Sequence, residues 1–418
     1  MQTRYRNLKS KVINNTKVVE NYFFMTALQV INSLFGILIY PYLIRVLGAG
    51  SYGLYVFALS VTSYFIGFIT FGFTMPAVKG IVENKDNPQA KSKIVSSVLT
   101  AKFYLSLLST LIFVVLLFSI PVMKNHKLIF AICFSQIFAE TLLPVWYFQG
   151  VQKMRIITYI QLGIKVLSLP FIFLFIHKPD DCYIYVLIAS FSLVIGAILS
   201  NVFLVTKEDI RIKLVSITSL KVYFNDALPF FWSNSTATIK QESVTIIIGA
   251  FFGMRDVAYY DLANKIILLP RMLTTNINGA LFPKVMERTD KALIKKIIRY
   301  EMLIGLAVIL SVVLFGYWII LLLGGRQMVD AYPLAIIISA SMMVWLIVGS
   351  YINFIFVPQN KYYFVTRNQF MAFISFIVFC VIGILIFHTI AAVVLALTLS
   401  GYCEIVYCNY LIRKHKLL

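Results

Sequence analysis

Long apolar runs alternate with short polar gaps along this chain, and the runs constrain everything else about it. They fall at approximately 21–44, 52–73, 95–120, 128–148, 156–176, 183–205, 227–252, 257–282, 297–323, 331–357, 369–387 and 390–411. Each is roughly 20 residues or slightly longer, the length an α-helix needs to cross the roughly 30 Å hydrocarbon core of a bilayer. Strands of a membrane barrel alternate apolar and polar positions over about ten residues, and these runs are continuous instead. The pattern predicts an all-α integral membrane protein of about 12 transmembrane helices. The seventh and eighth runs are the least regular, because polar residues interrupt them.

Composition strengthens this picture. Of the 418 residues, 60% are hydrophobic and 13% are charged, with a mean hydropathy of +0.87. A soluble domain is about 45–50% apolar and about 25% charged, so the surplus apolar surface requires lipid. The basic tail with Arg4, Arg6, Lys9, Lys11 and Lys17 resembles the start of a signal peptide. The apolar run after it is too long for one and lacks a small-residue cleavage site, so it reads as a retained first span. Five cysteines without CxxC or metal-like spacing read as small hydrophobes.

The net charge of +20 would suit a nucleic-acid binder, but its distribution follows membrane topology. Of the 37 Lys and Arg, 26 fall in the tails and alternate gaps on the side of the N-terminus, and six (Arg45, Lys124, Lys127, Lys178, Arg255, Arg326) fall opposite. Cytoplasmic loops hold the excess of Lys and Arg, so both termini are expected in the cytoplasm. The connection at 206–226 divides the chain into an N-terminal six-helix bundle (1–205), a cytoplasmic linker (206–226) and a C-terminal six-helix bundle (227–418). A faint echo links the halves: Leu47-Gly48, Gly53, Tyr55 and Ala58 recur at one constant offset as Phe252-Gly253, Ala258, Tyr260 and Ala263. Internal repeats of this kind are expected of transporters.

Soluble catalytic signatures are missing: there is no GxGxxG after a strand, no P-loop, no HExxH and no GxSxG. No catalytic residue, metal or cofactor is expected, and the chain reads as a non-enzyme. What remains is the set of ionisable residues inside spans, each costing about 2.5–3.5 kcal/mol at a helix centre and so expected to face a cavity or a partner. Ser233, Thr236, Lys240 and Ser243 share one stripe of the seventh run, which also holds Gln241 and Glu242. Asp261, Asn264, Arg271, Thr275 and Asn278 form a polar stripe on the eighth, with Lys265 one turn from Asp261. Two such helices predict an aqueous, net cationic cavity in the second half. In the first half Lys165 lies mid-span, Gln136 and Glu140 lie one turn apart, and Lys102 is close enough to the cytoplasmic end to snorkel. Glu140, Glu242 and Asp261 are candidates for charge pairing or ion coupling. Glu301 and Glu404 read as residues that cap or orient a helix. Pro41, Pro144, Pro170 and Pro270 lie in or near spans and permit bends.

Local motifs add a resemblance. Tyr40-Pro41-Tyr42-Leu43-Ile44-Arg45-Val46-Leu47-Gly48 followed by Tyr52-Gly53-Leu54-Tyr55, Pro144-Val145-Trp146-Tyr147-Phe148-Gln149-Gly150 with Met154, and Pro229-Phe230-Phe231 leading to Tyr260 and Ala263 resemble the Wzx-type polysaccharide-export flippases. That family belongs to the multidrug/oligosaccharidyl-lipid/polysaccharide exporter superfamily. The resemblance implies a MATE-like fold of two six-helix bundles in the bacterial plasma (inner) membrane. The implied substrate is an undecaprenyl-pyrophosphate-linked oligosaccharide, an O-antigen or capsule repeat unit. It also implies working partners in a polysaccharide polymerase and a chain-length regulator. The charge argument supplies the site: Lys165, Lys240, Lys265 and Arg271 are expected to hold the anionic head group. A drug or cation antiporter of the same superfamily would favour an acidic cavity instead. A membrane glycosyltransferase or polymerase would need a long outer loop, which the short gaps do not provide.

Overall fold

The computed structural model describes the backbone of residues 2–287 and 291–418, and side chains except those of 1–19, Tyr22, Ser233, Leu273 and 275–290. The basic tail residues Arg4 to Lys17 and the stripe members Ser233, Thr275 and Asn278 therefore lie outside the described side chains. All regular structure among the described residues is helical. The chain clusters into two compact units, Met1–Phe35 with Val61–Ser235, and Gly36–Ser60 with Thr236–Leu418. This differs from a plain division at 206–226, because residues 36–60 group with the second unit.

The first unit holds the two ends of α1 (Gln2–Thr70), then α2 (Thr74–Glu83), α3 (Pro88–Ser119), α4 (Pro121–Asn125) and α5 (Lys127–Phe134). It continues through α6 (Gln136–Leu142), α7 (Val145–Gly150), α8 (Met154–Phe175), α9 (Cys182–Lys207) and the start of α10 (Ile217–Phe251). Helix starts follow local chemistry: Pro88 occupies the first turn of α3, where no N–H is needed, and Asn87 Oδ1 accepts from Ala90 N at 3.0 Å. Pro144 sits in the break between α6 and α7, whereas Pro170 is carried inside α8. The signature stretch after it is a core element, with Trp146, Tyr147 and Phe148 all buried and α7 packed on α2.

The second unit contains the rest of α10, α11 (Met254–Glu287), α12 (Lys291–Gly324), α13 (Ala331–Ser339), α14 (Ser341–Tyr351), α15 (Tyr362–Phe387) and α16 (Ile390–Lys414). A π-helical turn at Ile352–Phe356 extends α14. Residues 36–60 are tied in by specific bonds: Arg45 Nη2 donates to Leu322 O and Gln327 Nε2 to Ile44 O, each at 2.8 Å. The repeated dipeptide has a repeated backbone task. Gly48, at φ 73°, breaks α1, and Gly253, at φ 117°, separates α10 from α11. A side chain at either position would be strained in this left-handed region.

Nine segments among the described residues are long and apolar enough to cross a membrane. The twelve-run reading differs at three places. Phe23–Glu83 counts once although its 61 residues would be about 90 Å of helix, three bilayer cores, and Gly48 breaks it. Both α10 and α11 are missing from the nine, and these are the helices that carry the polar stripes. Outward faces are apolar: Leu385 and Val406 are each 70% exposed, an arrangement that only lipid solvates cheaply.

Candidate functional site

The second unit encloses a cavity of about 420 Å³. From α10 it is lined by Ala237, Lys240 and Gln241, and from α11 by Tyr260, Asn264 and Arg271. These spacings of three, four and seven residues place each set on one helical face. Ser341, Val344, Trp345, Val348 and Gly349 of α14 follow the same rule, while the π turn adds Ile352 and Asn353. Gln369 comes from α15, and Leu397, Gly401 and Glu404 from α16.

Among the described residues, three charged side chains line it. Lys240 Nζ lies 2.5 Å from Glu404 Oε1, and Glu404 Oε2 accepts from Asn368 Nδ2 at 3.2 Å. Arg271 Nη2 donates to Ser341 Oγ at 2.6 Å, and its guanidinium lies 5.6 Å from the Trp345 ring centroid. Two cations against one carboxylate leave the described lining formally +1. Four side-chain amides (Gln241, Asn264, Asn353, Gln369) and two aromatic rings (Tyr260, Trp345) complete the polar wall. Such a lining offers fixed charge for an anion, together with amides and ring faces for hydroxyl-rich groups.

The structure thus brings together Lys240 and Arg271 from the expected cationic set and separates the other two. Lys265 is paired with Asp261 and also donates to Tyr52 Oη at 3.1 Å, while Tyr52 Oη donates to Asp261 Oδ2 at 2.8 Å. Its ammonium faces the rings of Tyr40 and Tyr52 at 5.4 and 5.7 Å. This closed cluster lies on the neighbouring face of α11, so its charge is cancelled before it reaches the cavity lining. Glu242 accepts from Ser60 and is likewise not part of the lining. Lys165 belongs to the first unit, on α8, with Nζ 5.1 Å from the Phe35 ring centroid. Among the described residues no carboxylate pairs with it.

Two expectations need correction. Lys102 does not snorkel: it is 2% exposed, donates to Glu140 Oε1 at 2.8 Å and to Glu140 O at 3.0 Å, and Thr70 Oγ1 donates to the same carboxylate at 3.3 Å. Glu404 does more than orient α16, since it is the counter-ion of a cavity lysine. Glu301, by contrast, is buried and accepts from Ser350, tying α12 to α14. Trp345, Ser341 and Asn353 carry no sequence signal of their own; Glu404, as the lone acid in the last apolar run, was the visible cue.

A helical, multi-pass membrane protein with a polar cavity inside one unit has known structural counterparts. A lipid II flippase MurJ in an inward closed conformation matches with a TM-score of 0.71 and 14% identity over 94% of this chain and 87% of that one. An inward-facing multidrug resistance MATE family transporter of the MOP superfamily matches with a TM-score of 0.68 and 15% identity over 93% and 95%. The fold is therefore MATE- and MurJ-like. The model of the family described as Polysaccharide biosynthesis protein matches residues 18–289, and the chain belongs to that family. The "Putative O-antigen transporter" of Escherichia coli (strain K12) is 24% identical over 272 residues, 65% of this chain and 66% of that protein. The match thus spans just under two thirds of the length of that relative.

Proposed function

We propose that this protein is a flippase of the bacterial inner membrane that carries undecaprenyl-pyrophosphate-linked oligosaccharide repeat units, of O-antigen or capsule, from the cytoplasmic to the outer leaflet by alternating access. The observation that carries the reading is the lining of the 420 Å³ cavity: Lys240 and Arg271 outnumber Glu404, and amides and aromatic rings surround them. A pyrophosphate takes a lysine as a point charge and an arginine as a fork. Sugars meet Gln241, Asn264, Asn353 and Gln369 by hydrogen bonds and the Trp345 and Tyr260 rings by stacking. A cavity for cationic drugs would need the opposite sign. Membership of the polysaccharide biosynthesis family and the MurJ-like fold support the same assignment. In this reading a polysaccharide polymerase and a chain-length regulator act on the delivered units.

Lys240→Ala and Arg271→Ala, each expressed in a strain whose surface polysaccharide depends on this gene, are expected to abolish that polysaccharide while the protein stays at normal abundance in the membrane. Full surface polysaccharide in both variants overturns the proposal. Lys165→Ala and Lys265→Ala are expected to act less strongly, since neither residue lines the cavity.

A further inference from the structure

A second hollow of the second unit, a groove of about 720 Å³, runs along α15 beside α16 and shares no lining residue with the cavity. Arg367 stands at its head, with Tyr363 one turn earlier and Tyr407 of α16 beside it. The Arg367 guanidinium lies 5.5 Å from the Tyr363 ring centroid. Phe370, Met371 and Ile374 continue along the same helical face, each at least 40% exposed. Gln369, the α15 residue that lines the cavity, is two positions from both Arg367 and Met371, so it lies on roughly the opposite side of the helix. The groove therefore faces the surroundings of the unit and not its cavity.

The sequence sets its depth. Phe370 to Phe387 is an uncharged run of 18 residues, about 27 Å of helix, close to the roughly 30 Å hydrocarbon core. Arg367 thus falls at head-group level, and Phe370, Met371 and Ile374 lie in the acyl layer beneath it. The rings of Phe364 and His415 meet at 4.9 Å, so this end of α15 packs on the basic end of α16 with Arg413 and Lys414. Charge distribution expects that end in the cytoplasm. The Arg367 charge is unmatched: no described carboxylate pairs with it, α15 contains no acid, and Glu404, the one acid of α16, is held by Lys240.

A guanidinium at head-group depth above an apolar trough complements a phosphate that carries a hydrocarbon chain. We propose that this groove is a binding site for an anionic phospholipid of the surrounding leaflet. The lipid phosphate takes the Arg367 fork between the two tyrosines, and an acyl chain lies over Phe370, Met371 and Ile374. A transported lipid needs its head in the cavity, on the other side of α15, so the occupant is a lipid of the bilayer itself. The inference holds whatever the cavity carries.

The test is native mass spectrometry of the purified full chain in detergent, titrated with dioleoylphosphatidylglycerol and with dioleoylphosphatidylcholine. The wild type is expected to take its first phosphatidylglycerol at lower concentration than its first phosphatidylcholine. Arg367→Gln is expected to weaken that phosphatidylglycerol about tenfold, the scale of one charge-assisted hydrogen bond. Met371→Trp fills the trough without changing charge and is expected to weaken it severalfold. Arg413→Gln removes the same charge from the same end, outside the groove, and is expected to leave it unchanged. Wild-type affinity in either groove variant overturns the inference, and each variant carries the test if the other does not fold. A loss in Arg413→Gln equal to that in Arg367→Gln also overturns it, because net charge would then be the cause. Displacement of the bound lipid by glycerol 3-phosphate would assign a site for the anion alone, and displacement by equimolar undecaprenyl phosphate a site for the carrier lipid; either result overturns the assignment to a phospholipid.

Discussion

The two units each contain a lysine–glutamate pair, Lys102 with the 29% exposed Glu140 and Lys240 with Glu404, and the pairs differ in what surrounds the lysine. In the first unit Lys102 is 2% exposed and spends its donors on the side chain and the backbone oxygen of Glu140, with Thr70 added to the same carboxylate. In the second unit Lys240 and Glu404 meet at 2.5 Å on the wall of a 420 Å³ cavity. The chemistry of the two pairs is the same, but the space beside them is not. A lysine sealed by protein locks helices together, because removing its carboxylate strands the ammonium in a medium of low dielectric. A pair that borders a cavity can trade its partner for a ligand.

The sharpest way to break this comparison is to remove one carboxylate from each pair. Glu140→Leu leaves the Lys102 ammonium buried with one backbone acceptor, and is expected to destabilise the protein by about 3–5 kcal/mol. Thermal unfolding in detergent measures this, and Lys102→Met combined with Glu140→Leu is expected to recover most of the loss. Glu404→Leu leaves Lys240 beside the cavity, where water can solvate it, with an expected cost of about 1–2 kcal/mol. Equal losses at the two sites would erase the distinction between a lysine sealed by protein and one beside a cavity.

Smaller changes sharpen it. Tyr52→Phe removes one hydroxyl shared by Asp261 and Lys265, and is expected to cost about 1–2 kcal/mol in the same assay while surface polysaccharide persists. Loss of polysaccharide in that variant at normal abundance would place the closed cluster in the transport path. Thr70→Val removes a hydroxyl shared between Ile66 O at 2.8 Å and Glu140 Oε1 at 3.3 Å, and about 0.5–1 kcal/mol is expected.

Much of this architecture was legible from local pattern. The apolar runs reappear as helices, and the seventh and eighth, the irregular ones, are α10 and α11, which supply Lys240, Gln241, Asn264 and Arg271 to the cavity. Helical periodicity is local, so a polar stripe is readable from a dozen residues. The same stripes misled where rotation by one residue mattered: Asp261 and Lys265 sit one position from Tyr260 and Asn264 yet face Tyr52 instead of the cavity.

By itself, then, the sequence determined that this chain must live in lipid, that it is built of helices, and that its second half concentrates polar and cationic side chains where lipid cannot solvate them. Tertiary structure alone decided which of those charges remain available. Lys240 meets Glu404 across 164 residues, Tyr52 meets Asp261 across 209, and residues 36–60 join the second unit by bonds such as Gln327 to Ile44 across 283. Charge cancellation is a matter of ångströms between side chains distant in the chain, and no periodicity within one helix carries that information.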